Sequence, residues 1–184
     1  MTIEPTASPN LDELIRLFFD ADEELGQFEN VESNELPDPY RKLLAHNFHM
    51  TVTVEEFHNS PVDVQVLAEL DDAEKNTYSR QILLCKQSDS QVVQYGIVRL
   101  HFDHLAPHVV NEIRRKETPL GRILIQNNVL REVELSKLWR VRCGSKLCEV
   151  LGVEPSTVTF GRTALIYCDG EPAVELLEIV SPVG

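Results

Sequence analysis

Basic residues are scarce in this chain of 184 residues, which has 17 Lys and Arg against 30 Asp and Glu. Nucleic-acid binding depends on Lys and Arg that neutralise phosphates, so we expect no nucleic-acid partner. Long apolar runs are also missing, since no stretch approaches the ~18 consecutive apolar residues of a membrane-spanning helix. We therefore expect no membrane segment. The opening MTIEPTASPN lacks a basic start followed by an apolar stretch, which predicts a cytoplasmic protein rather than a secreted one.

Motifs for metal binding, nucleotide binding and serine hydrolysis are missing as well. The cysteines show no C-x-x-C spacing, which predicts free thiols at Cys85, Cys143, Cys148 and Cys168. His101, His104 and His108 fall in a stretch that starts as a strand and ends beside a proline, so no regular element presents all three to a metal. Neither G-x-x-x-x-G-K-[ST], G-x-G-x-x-G nor G-x-S-x-G occurs. We expect no metal site.

Negative charge is concentrated at the N-terminus. Residues 1–39 contain eleven acids and one base, Arg16, whereas residues 40–184 contain 19 acids and 16 bases. We divide the chain into an acidic N-terminal helix and connector, 1–39, and one domain, 40–184. The nearly balanced charge of this domain allows a local binding site for an anion.

The pattern of apolar residues predicts an α+β fold. Asn10 and Glu13 form a capping pair before a short helix, and residues 26–39 are polar and turn-rich, which indicates a connector. Strands outnumber helices and are joined by tight turns, so the sheet is expected to be mainly antiparallel. Helices are expected at 40–47, at 107–126 with a break near 118, and at 145–151. Strands are expected at 61–70, 77–87, 91–102, 156–168 and 172–180. The segment 50–58 has features of both, with helix slightly favoured, and residues 128–142 suggest a strand and a turn.

Arg80 is the first residue that indicates chemistry. On a strand it shares a face with Tyr78, Ile82 and Leu84, all of which favour burial. An unpaired buried guanidinium costs several kcal/mol, so Arg80 needs either an internal carboxylate or an anionic ligand. Both alternatives are consistent with the sequence.

Two glutamates, Glu175 and Glu178, lie in an apolar strand near the C-terminus. Burial in an apolar pocket raises the pKa of a carboxyl group and allows it to donate a proton near neutrality. The alternative is that one glutamate is exposed and the other is paired with an arginine. The alternation of side chains along the strand cannot show which glutamate is buried, because both faces of this strand are apolar.

Taken together, several segments resemble the chorismate lyase (chorismate pyruvate-lyase) family, including its remoter bacterial and archaeal branch. The resemblance spans most of residues 40–182. Its most specific part is T-P-L-G-R before a G-R…G-x-P hairpin. The landmarks are H-M-T at 49–51, S-R-Q-I-L-L-C at 79–85, Q-Y-G-I-V at 94–98, E-T-P-L-G-R-I-L at 117–124, L-R-E at 130–132, G-R-T-A-L-I-Y-C-D-G-E-P at 161–172 and E-L-L-E-I-V-S-P at 175–182.

This resemblance implies a single α+β domain whose antiparallel sheet has about six strands, with helices on it that enclose a ligand. The implied reaction is the conversion of chorismate to 4-hydroxybenzoate and pyruvate without metal or organic cofactor. The resemblance implies that Arg80 binds the ring carboxylate. It also implies that Glu178, in preference to Glu175, is the catalytic acid that faces the ether oxygen. It also places Gly96 and Leu120 as main-chain contacts.

Three further points qualify the resemblance. Arg131 and Arg162 either meet a second carboxylate or hold the fold together. Ile97 stands where the enterobacterial type has an arginine, which bears on the identity of the substrate. The alternative function is a non-catalytic protein that binds a small aromatic acid as an effector, because the same fold serves as the effector domain of some transcription regulators.

Overall fold

One antiparallel sheet of seven strands organises the computed structural model, which describes residues 8–129 and 131–183. The strands follow the order β1-β5-β6-β7-β4-β3-β2, and every neighbouring pair is antiparallel. They are β1 (Gly26–Val31), β2 (Val62–Asp72), β3 (Thr77–Lys86), β4 (Val92–His101), β5 (Arg131–Cys143), β6 (Val158–Cys168) and β7 (Glu171–Val180). The helices are α1 (Leu11–Arg16), α2 (Asp38–Leu44), α3 (Met50–His58), α4 (Pro107–Arg115), α5 (Leu120–Gln126) and α6 (Ser145–Leu151). The α+β prediction is confirmed.

Both faces of the sheet are covered, which explains why the central strands are apolar on both sides. Helices α2, α3, α4 and α5 pack on one face, where β7 contributes Val174, Leu176 and Val180. Helices α1 and α6 pack on the other face, against Leu177 and Ile179. Successive side chains of a strand point to opposite faces, so the two sets alternate along β7.

The seventh strand was not expected. Residues 26–39 were predicted as a connector, but Gly26–Val31 forms the edge strand β1 and pairs with β5. Only Gly26 and Val31, at the two ends of β1, are buried. The sequence therefore lacks the alternation of apolar and polar residues that would predict a strand here. A Cβ atom on Gly26 would lie 2.6 Å from the carbonyl oxygen of Arg142, which requires glycine where β1 meets β5. The domain boundary at residue 39 stays a prediction.

Other local expectations agree with the structure. The segment 50–58 is helical, and residues 107–126 form two helices separated around Thr118. Asp169 and Gly170 both have positive φ, as a tight hairpin turn between β6 and β7 requires. Strand β5 is longer than expected, with an irregular register between Leu135 and Lys137 in place of a turn. Among the described helices, none has the length and apolar character needed to cross a bilayer.

Candidate functional site

A cavity lies between the face of the sheet that carries α2–α5 and the helices α3 and α5. Its floor consists of three neighbouring rows of side chains across β3, β4 and β7. The rows are Arg80, Val98 and Leu176; Ile82, Gly96 and Glu178; and Leu84, Gln94 and Val180. All of these except Val180 line the cavity directly. The arrangement places charged and polar side chains along a mostly apolar floor.

The roof is formed where α3 and the start of α5 approach each other. Thr51 of α3 and the segment Pro119–Gly121 line the cavity from above. A Cβ atom on Gly121 would lie 3.0 Å from Thr51 Oγ1, so glycine permits this close approach. Arg122 points elsewhere, because its guanidinium pairs with the carboxylate of Glu55 on α3. The T-P-L-G-R segment therefore shapes the cavity through its backbone and fixes α5 to α3 through its arginine.

Arg80 is buried beneath the roof without a carboxylate partner. It is 1% exposed, and Nη1 donates one hydrogen bond, 3.3 Å long, to the carbonyl oxygen of Ile113. Glu69 is directly opposite Arg80 on β2, but it accepts hydrogen bonds from Tyr78 and Lys116. No described carboxylate forms an ion pair with Arg80. Burial lowers the pKa of Arg80, and the nearby Tyr78 and Glu69 oppose this shift.

Two buried side-chain atoms have no hydrogen-bond partner in residues 8–129 and 131–183, and both line this cavity. They are Nε of Arg80 and Oε1 of Gln94. Buried polar groups in native proteins are almost always hydrogen-bonded, because leaving one unsatisfied costs about 1–3 kcal/mol. Arg80 and Gln94 thus give this cavity one donor and one acceptor that the described chain does not use.

Glu178 lines the cavity and also belongs to a buried ion pair. Its Oε2 accepts a hydrogen bond from Nε of Arg162 at 2.7 Å. Arg162 donates its other two nitrogens to the carbonyl oxygens of His46 and Phe48, at 2.8 and 2.9 Å. Arg162 thus lies behind Glu178, outside the cavity lining, and connects the sheet to the segment before α3. In this geometry Glu178 offers a hydrogen-bond acceptor to the cavity.

Glu175 lies on the opposite face of the sheet, away from the cavity. Arg99 donates to both of its carboxylate oxygens, at 2.6 and 2.8 Å, and His101 lies 2.8 Å away. Burial alone would raise the pKa of Glu175, but the hydrogen bonds from His101 and Arg99 lower it to about 2. Glu175 therefore does not share the cavity with Glu178, because a step of three residues along a strand reverses the face. Both glutamates have arginine partners, and neither is exposed.

The remaining predicted site residues divide into three groups. Gly96 and Leu120 line the same cavity as Arg80 and Glu178. Arg162 contacts Glu178 but not the cavity. Arg131 begins β5, and its side chain lies outside the described part of the chain.

Sequence reasoning missed Gln94 and Thr51. Gln94 had a usable signal, since it is a polar residue two positions before Gly96 in the apolar strand VVQYGIV and so shares its face. Thr51 had none, because its place in the roof depends on how α3 packs against α5.

The volume of the cavity is small, about 40 Å³, which is room for a few water molecules. A cavity of roughly 150 Å³ is needed to hold a benzene ring. The cavity in this structure is therefore too small for a ligand of aromatic size. A larger open groove of about 660 Å³ is lined by Phe48, Val52 and Ile125 among others, but neither unpartnered atom lies in it, so volume alone does not locate the site.

No protein-family model matches the sequence, and no curated protein matches it. Solved structures do match. The effector domain of PhnF from Mycobacterium smegmatis is 12% identical with a TM-score of 0.52, and the match covers 73% of this chain and 88% of that one. PhnF from the same organism gives a TM-score of 0.51 at 12% identity, covering 72% of this chain and 63% of that one. The gene product SA0254 from Staphylococcus aureus gives 0.50 at 11% identity, covering 65% and 82%.

These likenesses identify the architecture. The fold is chorismate lyase-like. It is the fold of the effector domain of PhnF. At 11–12% identity the likeness shows the fold alone, so the function must be argued from the cavity.

Proposed function

We propose that this chain is a non-catalytic binding domain whose ligand is a small aromatic acid. The observation that carries the proposal is Arg80, a fully buried guanidinium that lines a cavity, has no carboxylate partner in the described chain and leaves Nε without a hydrogen bond. A buried charge of this kind is costly unless something pairs with it. A carboxylate is the best match, because it accepts parallel hydrogen bonds from the planar guanidinium.

The apolar lining supports an aromatic body for the ligand. Between Arg80 and Glu178 the floor consists of Ile82, Gly96, Val98 and Leu176. Gly96 stands in the middle row, so no side chain rises from the centre of the floor. The proposal requires the cavity to widen, after which a flat ring can lie on this floor. The carboxylate of Glu178 then suits a hydroxyl group at the end of the ligand away from the acid.

Comparison with solved structures supports binding rather than catalysis. The matched domain of PhnF, with a TM-score of 0.52, is described as an effector domain. The environment of Glu178 agrees with this, because its carboxylate already accepts a hydrogen bond from Arg162 and has room to accept another from a ligand hydroxyl group.

Calorimetry with matched ligands tests the proposal. The full chain is titrated with 4-hydroxybenzoate and with 4-hydroxybenzyl alcohol, which keeps the ring and the hydroxyl group but lacks the carboxylate. We expect binding of the acid, a higher unfolding temperature in its presence, and at least 10-fold weaker binding of the alcohol, because removing a charged partner of a buried arginine costs 2–5 kcal/mol. The proposal is wrong if 4-hydroxybenzoate does not bind, or if 4-hydroxybenzyl alcohol binds as tightly as the acid.

Chorismate lyase activity is the second candidate function. It is favoured by one observation, that Arg80, Gly96, Leu120 and Glu178 line a single cavity. Its weakness is the missing acid, since Glu178 is engaged by Arg162. Incubation with chorismate separates the two functions: a lyase releases pyruvate and 4-hydroxybenzoate in equal amounts, and an Arg80→Met variant loses that release. A binding domain releases neither above the spontaneous rate.

A further inference from the structure

Gln94 is a buried glutamine whose side-chain oxygen has no hydrogen-bond partner in the described part of the chain. It is 2% exposed and lies on β4 between Leu84 and Val180, two apolar residues directly opposite it on β3 and β7. Leucine or methionine would fill the same space without an unsatisfied polar group.

A second glutamine shows how the same side chain is satisfied when its role is structural. Gln81 lies on β3, and its Oε1 accepts a hydrogen bond from the hydroxyl group of Tyr95 at 2.7 Å. That contact is on the face of the sheet that packs against α1 and α6. Gln81 is therefore supported by the fold, whereas Gln94 faces the cavity.

We propose that Gln94 is a specificity-determining residue that binds a polar substituent of the ligand next to the substituent that contacts Glu178. This inference rests on the proposed function, because it assumes that an aromatic acid occupies the cavity. Gln94 and Glu178 lie on adjacent strands in neighbouring rows, so their backbones are about 7–8 Å apart. Arg80 lies at the other end, two rows or roughly 14 Å along the strands from Gln94.

The positions of these three polar groups define the ligand more narrowly. Its carboxylate contacts Arg80 at one end, and two neighbouring hydrogen-bond donors contact Glu178 and Gln94 at the other. An aromatic acid with adjacent hydroxyl groups at positions 3 and 4 has this pattern. A single hydroxyl group at position 4 leaves Gln94 unsatisfied, which lowers affinity because the buried amide stays without a partner.

Two probes and one variant test the inference. Wild-type protein and Gln94→Met are titrated with 4-hydroxybenzoate and 3,4-dihydroxybenzoate. We expect the wild type to bind the dihydroxy acid roughly 10-fold more tightly, the value of one ordinary hydrogen bond. We expect Gln94→Met to bind both acids with nearly equal affinity. The variant should also unfold at a higher urea concentration than the wild type when no ligand is present, because it loses an unsatisfied buried group.

Gln81→Met is the matched control. It should keep the preference for the dihydroxy acid and unfold at a lower urea concentration, because Tyr95 loses its partner. The inference is overturned if Gln94→Met keeps the wild-type preference or is destabilised as Gln81→Met is, since either result makes Gln94 a structural residue. If wild-type protein binds neither acid, the proposed function fails and this inference fails with it. Binding of both acids with equal affinity by the wild type overturns the inference alone.

Discussion

Arg162 and Glu178 lie directly opposite each other on β6 and β7, and Nε of Arg162 donates to Oε2 of Glu178 at 2.7 Å. The same guanidinium donates to the carbonyl oxygens of His46 and Phe48, so every nitrogen of Arg162 is used. The pair therefore fixes the segment before α3 to the sheet. Glu178 also lines the cavity, so the same ion pair connects the stability of the roof with the geometry of the site.

We expect either single replacement in this pair to be strongly destabilising. Arg162→Met leaves the Glu178 carboxylate buried without its partner, at a cost of about 3–5 kcal/mol in the free energy of unfolding. The double variant Arg162→Met, Glu178→Leu removes both charges and should recover most of this loss. Urea unfolding of the three variants measures the coupling.

Arg140 and Glu29 provide the control for this prediction. They also lie opposite each other on neighbouring strands and form an ion pair of 2.8 Å, but Glu29 is exposed and Arg140 is partly exposed. Arg140→Met should change the free energy of unfolding by at most about 1 kcal/mol. A loss of similar size for Arg140→Met and Arg162→Met would contradict the role given to burial.

The sequence indicates which residues belong to the site but not which groups they pair with. Arg80 was identifiable because an arginine at alternating spacing with Tyr78 and Ile82 must be buried. The sequence cannot show whether a carboxylate meets Arg80, since that depends on strand register. Glu69 lies opposite Arg80 and still bonds to Tyr78 and Lys116 instead, in a strand whose register shifts between Val66 and Ala68.

Two other features were beyond the sequence for related reasons. Helices cover both faces of the sheet, so both faces of β7 are apolar and the alternation of residues does not separate Glu175 from Glu178. Strand β1 is mostly polar and joins the edge of the sheet through backbone pairing with β5, which leaves little trace in residue type. Local signals such as the Asp-Gly turn worked because backbone conformation alone determines them.

Glu175 gives the protein an acid-sensitive contribution to stability. Its pKa falls from an ordinary 4.5 to about 2 in the folded state. A lowered folded-state pKa stabilises the protein fully above pH 4.5, and this stabilisation is lost as the pH falls from 4.5 to 2. The contribution is about 3 kcal/mol. We expect Glu175→Gln to lower the free energy of unfolding by a similar amount at pH 7. Between pH 5 and 3 the free energy of unfolding of this variant should fall less steeply than that of the wild type.

A comparison of two variants checks this assignment. Glu29→Gln removes an exposed glutamate and should leave both the stability at pH 7 and the acid decline close to wild type. A steep acid decline that persists in Glu175→Gln would show that other carboxylates cause it. Because Glu175 lies on the face away from the cavity, its replacement should leave the affinity for 4-hydroxybenzoate unchanged in folded protein.

Gly96→Ala tests whether the centre of the floor must stay open. The new methyl group would lie 3.3 Å from the carbonyl oxygen of Leu177 and 3.4 Å from Ile82, so small shifts accommodate it. We expect a change of about 1 kcal/mol or less in the free energy of unfolding, since alanine also restricts the unfolded chain. The affinity for 4-hydroxybenzoate should fall at least 10-fold, because the methyl group occupies the floor of the cavity. Calorimetry showing wild-type affinity would place the ligand elsewhere.

Arg80→Met separates a binding role from a structural one, because the two roles predict opposite changes in stability. Arg80 makes one hydrogen bond of 3.3 Å, to Ile113, and has no ion pair with a described residue. Replacing such a buried charge with an apolar side chain of similar length should raise the free energy of unfolding by about 1–3 kcal/mol. The same change should weaken the binding of 4-hydroxybenzoate by about 2–5 kcal/mol, because the ligand carboxylate loses its partner.

Arg80→Lys and Arg114→Met complete the experiment. Lysine keeps the charge but not the planar shape of the guanidinium, so Arg80→Lys should bind the acid less tightly than the wild type does. Because its charge stays buried, Arg80→Lys should not be stabilised as Arg80→Met is. Arg114 packs over Tyr78, which lies two residues before Arg80 on β3. Arg114 is exposed and pairs with Asp71, so Arg114→Met should leave the affinity unchanged. Unchanged affinity in folded Arg80→Met would refute the carboxylate anchor. A loss of more than about 3 kcal/mol of stability in that variant would instead make Arg80 part of the fold, since a residue retained for a ligand stabilises the protein only when the ligand is bound.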